Sequence, residues 1–301
     1  MDAVIFPGQG SQKPGMGSSW AETASWDVVD RISGVLGRDV AALLLDADAA
    51  TLQATRNAQV AAFALGLVIL DGARRAGMSF GLAAGHSLGE YTALVAAGVL
   101  DVEAATALVG ERAEAMQMSA DGNPGTMAAI LGLDADAVAE ACSRAGGGAW
   151  IANDNAPGQI VIAGTPEGVA SATEAAKEAR GKVRPLAVGG AFHTPLMASA
   201  QARLDDALSG APFRDGDVSV VANVDAAAHR NGADWGPLLS RQLCSPVRWR
   251  ESVAGFVGLG VTRVVELGPD GILGGMVKRI APELDRAVVA EPADLEAAGS
   301  A

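Results

Sequence analysis

Six consecutive residues, Gly85-His86-Ser87-Leu88-Gly89-Glu90, contain the pattern G-x-S-x-G, in which the serine could act as a nucleophile. A short, mostly apolar run at 80–84 precedes them, and good helix formers follow at 90–97. A strand, a sharp turn and a helix would lift the serine hydroxyl above a sheet and aim free helix N–H groups at a forming oxyanion. Because the preceding run is Ala/Gly-rich and a weak strand by propensity, the pattern alone leaves an inert turn open as the alternative.

A serine nucleophile needs a neighbouring base, and the chain has three histidines. His86 is inside the turn, where we expect its side chain to point away from the face of the nucleophile. His229 lies in a polar turn. His193 follows a Gly-Gly pair at the start of a predicted helix, so it is the best candidate base; the alternative is a surface or capping histidine.

Arg112 falls on the apolar stripe of a helix predicted at 101–118, while the glutamates of that helix lie on the other face. A guanidinium cannot lose its charge, and burying it unpaired is costly. Arg112 therefore has a buried carboxylate partner, extends to the edge of the helix, or binds an anionic ligand. Gln59, at the start of another predicted helix, is either an ordinary first-turn residue or part of the same site.

The elements that must position these residues alternate between strands and helices, which predicts a mostly parallel sheet with helices on both faces. Residues 126–189 instead follow the order β-α-β-β-α-β, the ferredoxin-like pattern. We therefore predict a large α/β-hydrolase-like domain at 1–125 and 190–301 with an inserted ferredoxin-like subdomain at 126–189. A ligand would bind in the cleft between them. The predicted strands are 3–6, 80–84, 126–133, 149–152, 159–163, 182–188, 218–223 and 263–267. The predicted helices are 51–75 (capped near Thr55), 90–97, 101–118, 134–145, 166–179 (capped by Thr165, with Pro166 at its first position), one from about 196, 234–243, 249–259 and one ending at 280.

Composition narrows the function classes. Of 301 residues half are hydrophobic, and the net charge is −13, which argues against nucleic acid or an anionic membrane as the partner. The two cysteines are too few for a disulfide scaffold and lack metal-ligand spacing, so we expect no metal. The apolar run at 60–70 is too short to cross a bilayer, and no signal peptide is evident, so we expect a cytoplasmic protein. We expect the Ala-rich tail after Pro292 to fray.

The glycine loop at 7–12 lacks the G-K-[ST] of a phosphate loop, and Lys13 stands where a third glycine would complete G-x-G-x-x-G. A tight loop that offers backbone N–H groups over a sheet edge fits it better.

Five motifs now occur in order over nearly the whole chain: Phe6-Pro7-Gly8-Gln9-Gly10-Ser11-Gln12, Gly85-His86-Ser87-Leu88-Gly89-Glu90-Tyr91, Arg112 with Met116-Gln117, Phe192-His193, and Gln242-Leu243 with Pro246-Val247-Arg248-Trp249. This set resembles the malonyl-CoA:acyl-carrier-protein transacylases of type II fatty acid synthesis. It is also similar to the acyltransferase domains of polyketide synthases. The resemblance implies a ping-pong transfer of malonyl from CoA to the phosphopantetheine thiol of an acyl carrier protein.

The resemblance also implies catalytic roles for five residues. Ser87 would be the acylated nucleophile and His193 its general base. The backbone carbonyl of Gln242 would orient the His193 ring, in place of the aspartate of a triad. The backbone N–H groups of Gln9 and Leu88 would form the oxyanion hole.

Four further residues would bind the substrate. Arg112 would pair with the free malonyl carboxylate, and Gln59 would line the site. Phe192 would crowd an α-methyl branch, which predicts malonyl over methylmalonyl by on the order of 10–200-fold. Lys182 would lie near the CoA phosphates, although its surroundings do not match a basic pair cleanly. The small subdomain would act as a lid.

The resemblance implies no bound cofactor or metal, phosphopantetheine supplied by the carrier protein, and a monomer. Because both this chain and acyl carrier proteins are acidic, docking would need a local basic patch. The candidates are Arg74, Arg75, Lys182, Arg184, Lys278 and Arg279. Two alternatives remain: a serine hydrolase that edits acyl thioesters on the same scaffold, and a non-catalytic carrier-binding protein. Fatty acid and polyketide pathways are not distinguished at this level.

Overall fold

The computed structural model describes residues 1–299, which form two β-sheets and the helices packed on them. The strands are β1 (Asp2–Phe6), β2 (Leu82–Gly85), β3 (Thr126–Leu131), β4 (Ala149–Ala156), β5 (Gln159–Gly164), β6 (Lys182–Pro185), β7 (Ser219–Val221), β8 (Ala228–His229), β9 (Arg263–Leu267) and β10 (Asp285–Val289). The helices are α1 (Asp27–Leu36), α2 (Val40–Leu45), α3 (Ala49–Gln53), α4 (Thr55–Arg75), α5 (Gly89–Ala96), α6 (Val102–Gly122), α7 (Ala135–Ser143), α8 (Pro166–Glu178), α9 (Ala198–Ser209), α10 (Trp235–Gln242), α11 (Trp249–Phe256), α12 (Ile272–Ile280) and α13 (Asp294–Gly299). Short 3₁₀ turns lie at Ala24–Trp26, Pro195–Met197, Gly232–Asp234 and Val257–Leu259.

The larger sheet has the order β10-β9-β1-β2-β7-β8, and every pair except β7–β8 is parallel. Its central strand β1 is buried from Ala3 to Phe6, as expected for a strand covered on both faces. The prediction of a mixed α/β fold with a mostly parallel sheet is confirmed.

Parallel pairing brings the carboxyl ends of β1, β2, β7 and β9 to one edge of this sheet, where ligands of open α/β sheets usually bind. The backbone is so tight there that only glycine fits at two positions. A Cβ on Gly85 would lie 1.9 Å from the carbonyl carbon of Gly89, and one on Gly89 would lie 2.1 Å from the carbonyl oxygen of Phe6. These glycines hold the turn after β2 against the end of β1.

The smaller sheet is antiparallel, in the order β4-β5-β3-β6, and β3 and β5 show how alternation divides its two faces. Ile130 and Ile162 point to a small core shared with α7 and α8. Their neighbours Met127 and Val161 point to the opposite face, toward the carboxyl edge of the larger sheet. One strand pair therefore builds both a local core and the wall of a cavity.

Helices α4 and α6, each of 21 residues, pack against each other and carry the buried polar residues of the site. Asp101 begins α6 by accepting a hydrogen bond from Ala104 N–H at 2.8 Å. The predicted cap of α8 is confirmed: Thr165 accepts from Gly168 N–H at 3.0 Å, and Pro166 occupies the first helical position. The expected Thr55 cap is wrong, since α4 begins at Thr55 after Ala54, which makes no side-chain cap.

Tertiary contacts explain the larger errors in the predicted elements. The polar stretch predicted as a loop after Ala152 continues β4 to Ala156, with two register shifts, because Asp154 pairs with Arg250 at 2.7 Å and its N–H donates to Val247 O at 2.9 Å. Strand β10 was not predicted, although its pairing with β9 completes the larger sheet. The tail expected to fray contains α13, which packs on β10.

No helix within residues 1–299 combines the length and hydropathy needed to cross a bilayer. The same residues contain no cluster of three or more His, Cys, Asp or Glu side chains arranged to hold a metal ion. Cys142 and Cys244 are free thiols.

Candidate active site

Ser87 lies in the turn between β2 and α5, with a left-handed φ of 54°, and its hydroxyl meets His193. Ser87 Oγ is 2.8 Å from His193 Nε2, and His193 Nδ1 is 2.8 Å from the carbonyl oxygen of Gln242. Since a carbonyl only accepts, Nδ1 carries the proton and Nε2 is left to accept from the serine hydroxyl. The geometry is that of a nucleophile, a base and an orienting group.

The His193 ring is neutral across the physiological range. Burial, followed by the nearby charge of Arg112, lowers the pKa of His193 to about 3. A neutral ring at pH 7 can take a proton from Ser87, so the depressed pKa keeps the base available.

Two backbone amides close to the Ser87 turn, those of Gln9 and Leu88, have no hydrogen-bond acceptor among residues 1–299. The loop carrying Gln9 lies against the turn so closely that a Cβ on Gly8 would be 2.4 Å from His86 O and 3.4 Å from Leu88 N. These two N–H groups are therefore free to donate to a ligand near the turn.

Arg112 is 1% exposed, which excludes extension to the solvent. Its guanidinium donates to the side chains of Gln59, Gln242 (2.9 Å) and Ser87 (3.1 Å), all of them neutral, and its carbon lies 5.6 Å from the centre of the Tyr91 ring. No carboxylate of residues 1–299 forms an ion pair with it, and its Nε has no hydrogen-bond partner there. Of the three alternatives for Arg112, an anionic ligand fits this geometry best.

A cavity opens between the carboxyl edge of the larger sheet and the open face of the smaller one. Its apolar wall comes mainly from the small sheet and the segment that follows it, and its polar end holds Ser87, Arg112 and His193. The lining includes Met127, Val161, Leu186, Val188, Phe192, Ile272 and Met276. The chain therefore places the Ser87 hydroxyl, the His193 ring and the buried Arg112 guanidinium at one end of an apolar channel.

The other predicted residues take different places. Phe192 lines the cavity and is 6% exposed. Gln59 is fully buried behind Arg112 and does not line the cavity. Lys182 is exposed on β6, outside the lining. The His86 side chain makes no hydrogen bond to Ser87 but lines the cavity, with Nε2 2.8 Å from Asn155 Oδ1.

Sequence reasoning missed two side chains of the site. The amide of Gln242 donates to Ser87 O at 3.0 Å and accepts from Arg112, so the residue acts through its side chain as well as its carbonyl. Asn223 accepts from Ser87 N–H at 2.7 Å. A polar residue at the end of an apolar strand was the available signal for Asn223, but no spacing in the sequence connects it to Ser87.

Glu90, in the first turn of α5, is fully buried, and one of its carboxylate oxygens has no partner within residues 1–299. Burial raises the pKa of Glu90 from 4.5 to about 8, against the opposing effect of the Asn223 N–H that it accepts. Between these two values the folded protein keeps a proton that the unfolded chain has lost, so this carboxyl makes the protein less stable as the pH rises.

We therefore expect Glu90→Gln to stabilise the protein increasingly from about pH 4.5 to about pH 8, because glutamine has no proton to lose. Urea denaturation of wild type and variant at several pH values measures the difference in free energy of unfolding. A difference that stays constant or narrows with rising pH would contradict the assigned environment of Glu90.

Comparison with known proteins identifies the family of this chain. The model of the acyl transferase domain matches residues 4–291. Malonyl CoA-acyl carrier protein transacylase of Bacillus subtilis (strain 168) is 40% identical over 98% of this chain and 95% of the relative. The chain belongs to the malonyl-CoA:acyl carrier protein transacylase family.

Further members of the family support the assignment. The transacylase of Escherichia coli (strain K12) is 39% identical, with 98% of each chain covered. The crystal structure of acyl-carrier-protein S-malonyltransferase from Burkholderia pseudomallei 1710b superposes with a TM-score of 0.96 at 41% identity, covering 100% of this chain and 99% of that one. A chain in the structure of a type II polyketide synthase acyl-carrier protein in complex with its malonyl-transacylase matches with a TM-score of 0.95 at 38% identity, covering 99% of this chain and 98% of that one. This family membership extends over the whole α/β body and the smaller sheet.

Proposed function

We propose that this protein transfers the malonyl group from malonyl-CoA to the phosphopantetheine thiol of an acyl carrier protein, through a malonyl ester on Ser87. The observation that carries the proposal is the buried Arg112, which has no carboxylate partner among residues 1–299 and lies 3.1 Å from Ser87 Oγ. A malonyl group joined to Ser87 brings a free carboxylate to this guanidinium. The relatives named above act on the same class of substrate.

In the first half-reaction Ser87 Oγ attacks the thioester carbonyl while its proton passes to His193 Nε2. The N–H groups of Gln9 and Leu88 stabilise the oxyanion. Collapse of the tetrahedral intermediate breaks the C–S bond, and His193 returns the proton to the leaving CoA thiol. In the second half-reaction the carrier thiol gives its proton to His193 and attacks the ester, and the proton then returns to Ser87 as malonyl leaves.

The protein's contribution to specificity lies in two side chains. Arg112 binds the malonyl carboxylate through a bidentate ion pair. Gln59 and Gln242 accept hydrogen bonds from its guanidinium and hold it in position. Phe192 crowds an α-methyl branch. Lys182, exposed on an edge strand, would contact the CoA phosphates only from outside the cavity.

The proposed domain organisation agrees with this mechanism. We propose that residues 1–125 and 190–301 form an α/β-hydrolase-like domain and that 126–189 form a ferredoxin-like subdomain covering the site. Two observations favour this division: the smaller sheet has its own core with α7 and α8, and its element order is β-α-β-β-α-β. The enzyme would work as a cytoplasmic monomer that needs no cofactor besides the phosphopantetheine of its partner.

The main alternative function is that of a serine hydrolase on the same scaffold. A covalent intermediate that waits for a thiol must be shielded from water, and the apolar wall of the cavity favours transfer. Intact-protein mass spectrometry after brief mixing with malonyl-CoA separates the two. We expect a malonyl adduct that persists in buffer and disappears when holo carrier protein is added. Release of free malonate without an adduct would indicate the hydrolase.

Docking of the acidic carrier protein needs exposed cations without other partners, and the basic candidates differ in this respect. The guanidinium of Arg74 donates to carbonyls at the end of α5, Arg75 pairs with Asp71, and Arg279 donates to Gln159. Within residues 1–299 no ion pair engages Lys182, Arg184 or Lys278. Lys278 also shares α12 with the cavity-lining Met276.

We expect Lys278→Glu to raise the KM for holo carrier protein about fivefold, through loss of one attractive charge pair, without changing the rate of adduct formation from malonyl-CoA. Steady-state assays at several salt concentrations measure the effect, which should shrink as salt rises. Lys177→Glu on α8 makes the same charge change and should leave the KM unaltered. Equal effects of the two variants would point to net charge instead of a docking patch.

A further inference from the structure

Asn223 holds the turn that carries Ser87 from both sides. Its side-chain Nδ2 donates to Gly85 O at 2.7 Å, and its Oδ1 accepts from Ser87 N–H at 2.7 Å. The residue is fully buried and does not line the cavity. One amide therefore fixes the backbone before and after His86 without touching a substrate.

The turn needs such a restraint. Ser87 is one of four non-glycine residues in the described chain with a positive φ, at 54°. A non-glycine residue in this region is strained and persists only where its surroundings hold it. The bond from Ser87 N–H also occupies that donor, so the amide left to face the oxyanion is that of Leu88.

Asn223 is itself held by groups on two other elements. Its N–H donates to Glu90 Oε2 at 2.9 Å, and its carbonyl accepts from Arg248 N–H at 2.9 Å. Glu90 lies three residues after Ser87, in the helix that the turn begins. The segment from Gly85 to Glu90 is thus closed into a ring through Asn223.

We propose that Asn223 is a positioning residue for the nucleophile, and that Glu90 holds it in place. It aims the Ser87 hydroxyl at His193 and the Leu88 N–H at the oxyanion. This inference rests on the proposed function and deepens it, because it assigns the acylation step a dependence on two residues that contact neither CoA nor malonyl.

The test compares the rate constant of Ser87 acylation with the affinity for malonyl-CoA. Misplacing a nucleophile by about 1 Å lowers a reaction rate on the order of 100-fold. Asn223→Ala should therefore slow formation of the malonyl adduct by about that factor, measured by quenched flow with mass spectrometry. The Kd for malonyl-CoA, measured by calorimetry in a Ser87→Ala background, should not change when Asn223→Ala is added. Glu90→Gln, which keeps an acceptor oxygen for Asn223 N–H, should acylate like wild type, whereas Glu90→Ala should lose on the order of tenfold.

Thr106→Ala is the matched control, since Thr106 is fully buried and hydrogen-bonded to Val102 O away from the turn. Three results would each overturn the inference. They are acylation of Asn223→Ala at the wild-type rate, a fall in its affinity for malonyl-CoA as large as the fall in its acylation rate, and a loss of acylation rate in Thr106→Ala as large as that in Asn223→Ala. All rates are referred to folded protein, measured by circular dichroism. Labelling of Ser87 by a fluorophosphonate runs alongside: if wild type forms no malonyl adduct, the proposed function fails, and the labelling rate of Asn223→Ala still decides the role of Asn223.

Discussion

Ser87→Ala is expected to abolish the malonyl adduct and to lower malonyl transfer by on the order of 10⁶-fold. The substitution removes the hydroxyl that we propose is acylated, whose Oγ is 2.8 Å from His193 Nε2. Effects of residues that act together are not additive, so adding His193→Ala should cost little more. Intact-protein mass spectrometry with malonyl-CoA and a carrier-transfer assay measure both quantities.

Ser119→Ala is the control for this experiment, because Ser119 is a buried serine whose hydroxyl donates to Leu196 O outside the cavity. It should retain the adduct and the transfer rate. A malonyl adduct on Ser87→Ala would mean that another residue is acylated, and the nucleophile assignment would be wrong.

Arg112→Ala is expected to reverse the choice of acyl group. With malonyl-CoA, kcat/KM should fall on the order of 10³-fold, which is a loss of about 4 kcal/mol in transition-state stabilisation. The reason is that the malonyl carboxylate loses a bidentate ion pair in a buried site. Acetyl-CoA should gain relative to malonyl-CoA, because a neutral acyl group no longer leaves a buried guanidinium without an anion. Competition between the two thioesters, read as the ratio of adduct masses, measures the change.

Two further variants sharpen this result. Arg112→Lys keeps the charge but loses the planar fork, so it should recover only part of the malonyl preference. Arg203→Ala removes an arginine that pairs with Glu111 on the surface, and the preference should stay that of wild type. If Arg112→Ala still prefers malonyl, the guanidinium is structural, and the strongest support for the proposed substrate is lost.

Buried side chains show why the sequence could locate the site but not complete it. Arg112 was recognisable because a charged residue on an apolar helical stripe is visible from spacing alone. Its partners Gln59 and Gln242 lie 53 and 130 residues away along the chain. Tertiary packing brings their amides to the guanidinium, since α4 packs on α6, and α10 packs on α9, which packs on α6. Asn223 escaped notice for the same reason: its bonds to Gly85 and Ser87 cross from one strand end to the next.

The helices and strands show the same contrast between local and long-range information. Periodicity and turn residues located most helices and strands, including β9 to the residue and the α8 cap, because these features depend on neighbours along the chain. The continuation of β4 through Asp154 and the addition of β10 depend on Arg250, Val247 and β9, which are distant in sequence.

The motifs, their order, the mostly parallel α/β class and the family resemblance could all be predicted from the amino-acid sequence, because each depends on residues close together along the chain. The three-dimensional structure was needed to show that His193 Nε2 faces Ser87, that Arg112 has no carboxylate partner within residues 1–299, and that Asn223 joins the two sides of the turn. Those contacts join a strand end, a helix and a loop that are far apart along the chain, and no local pattern encodes them.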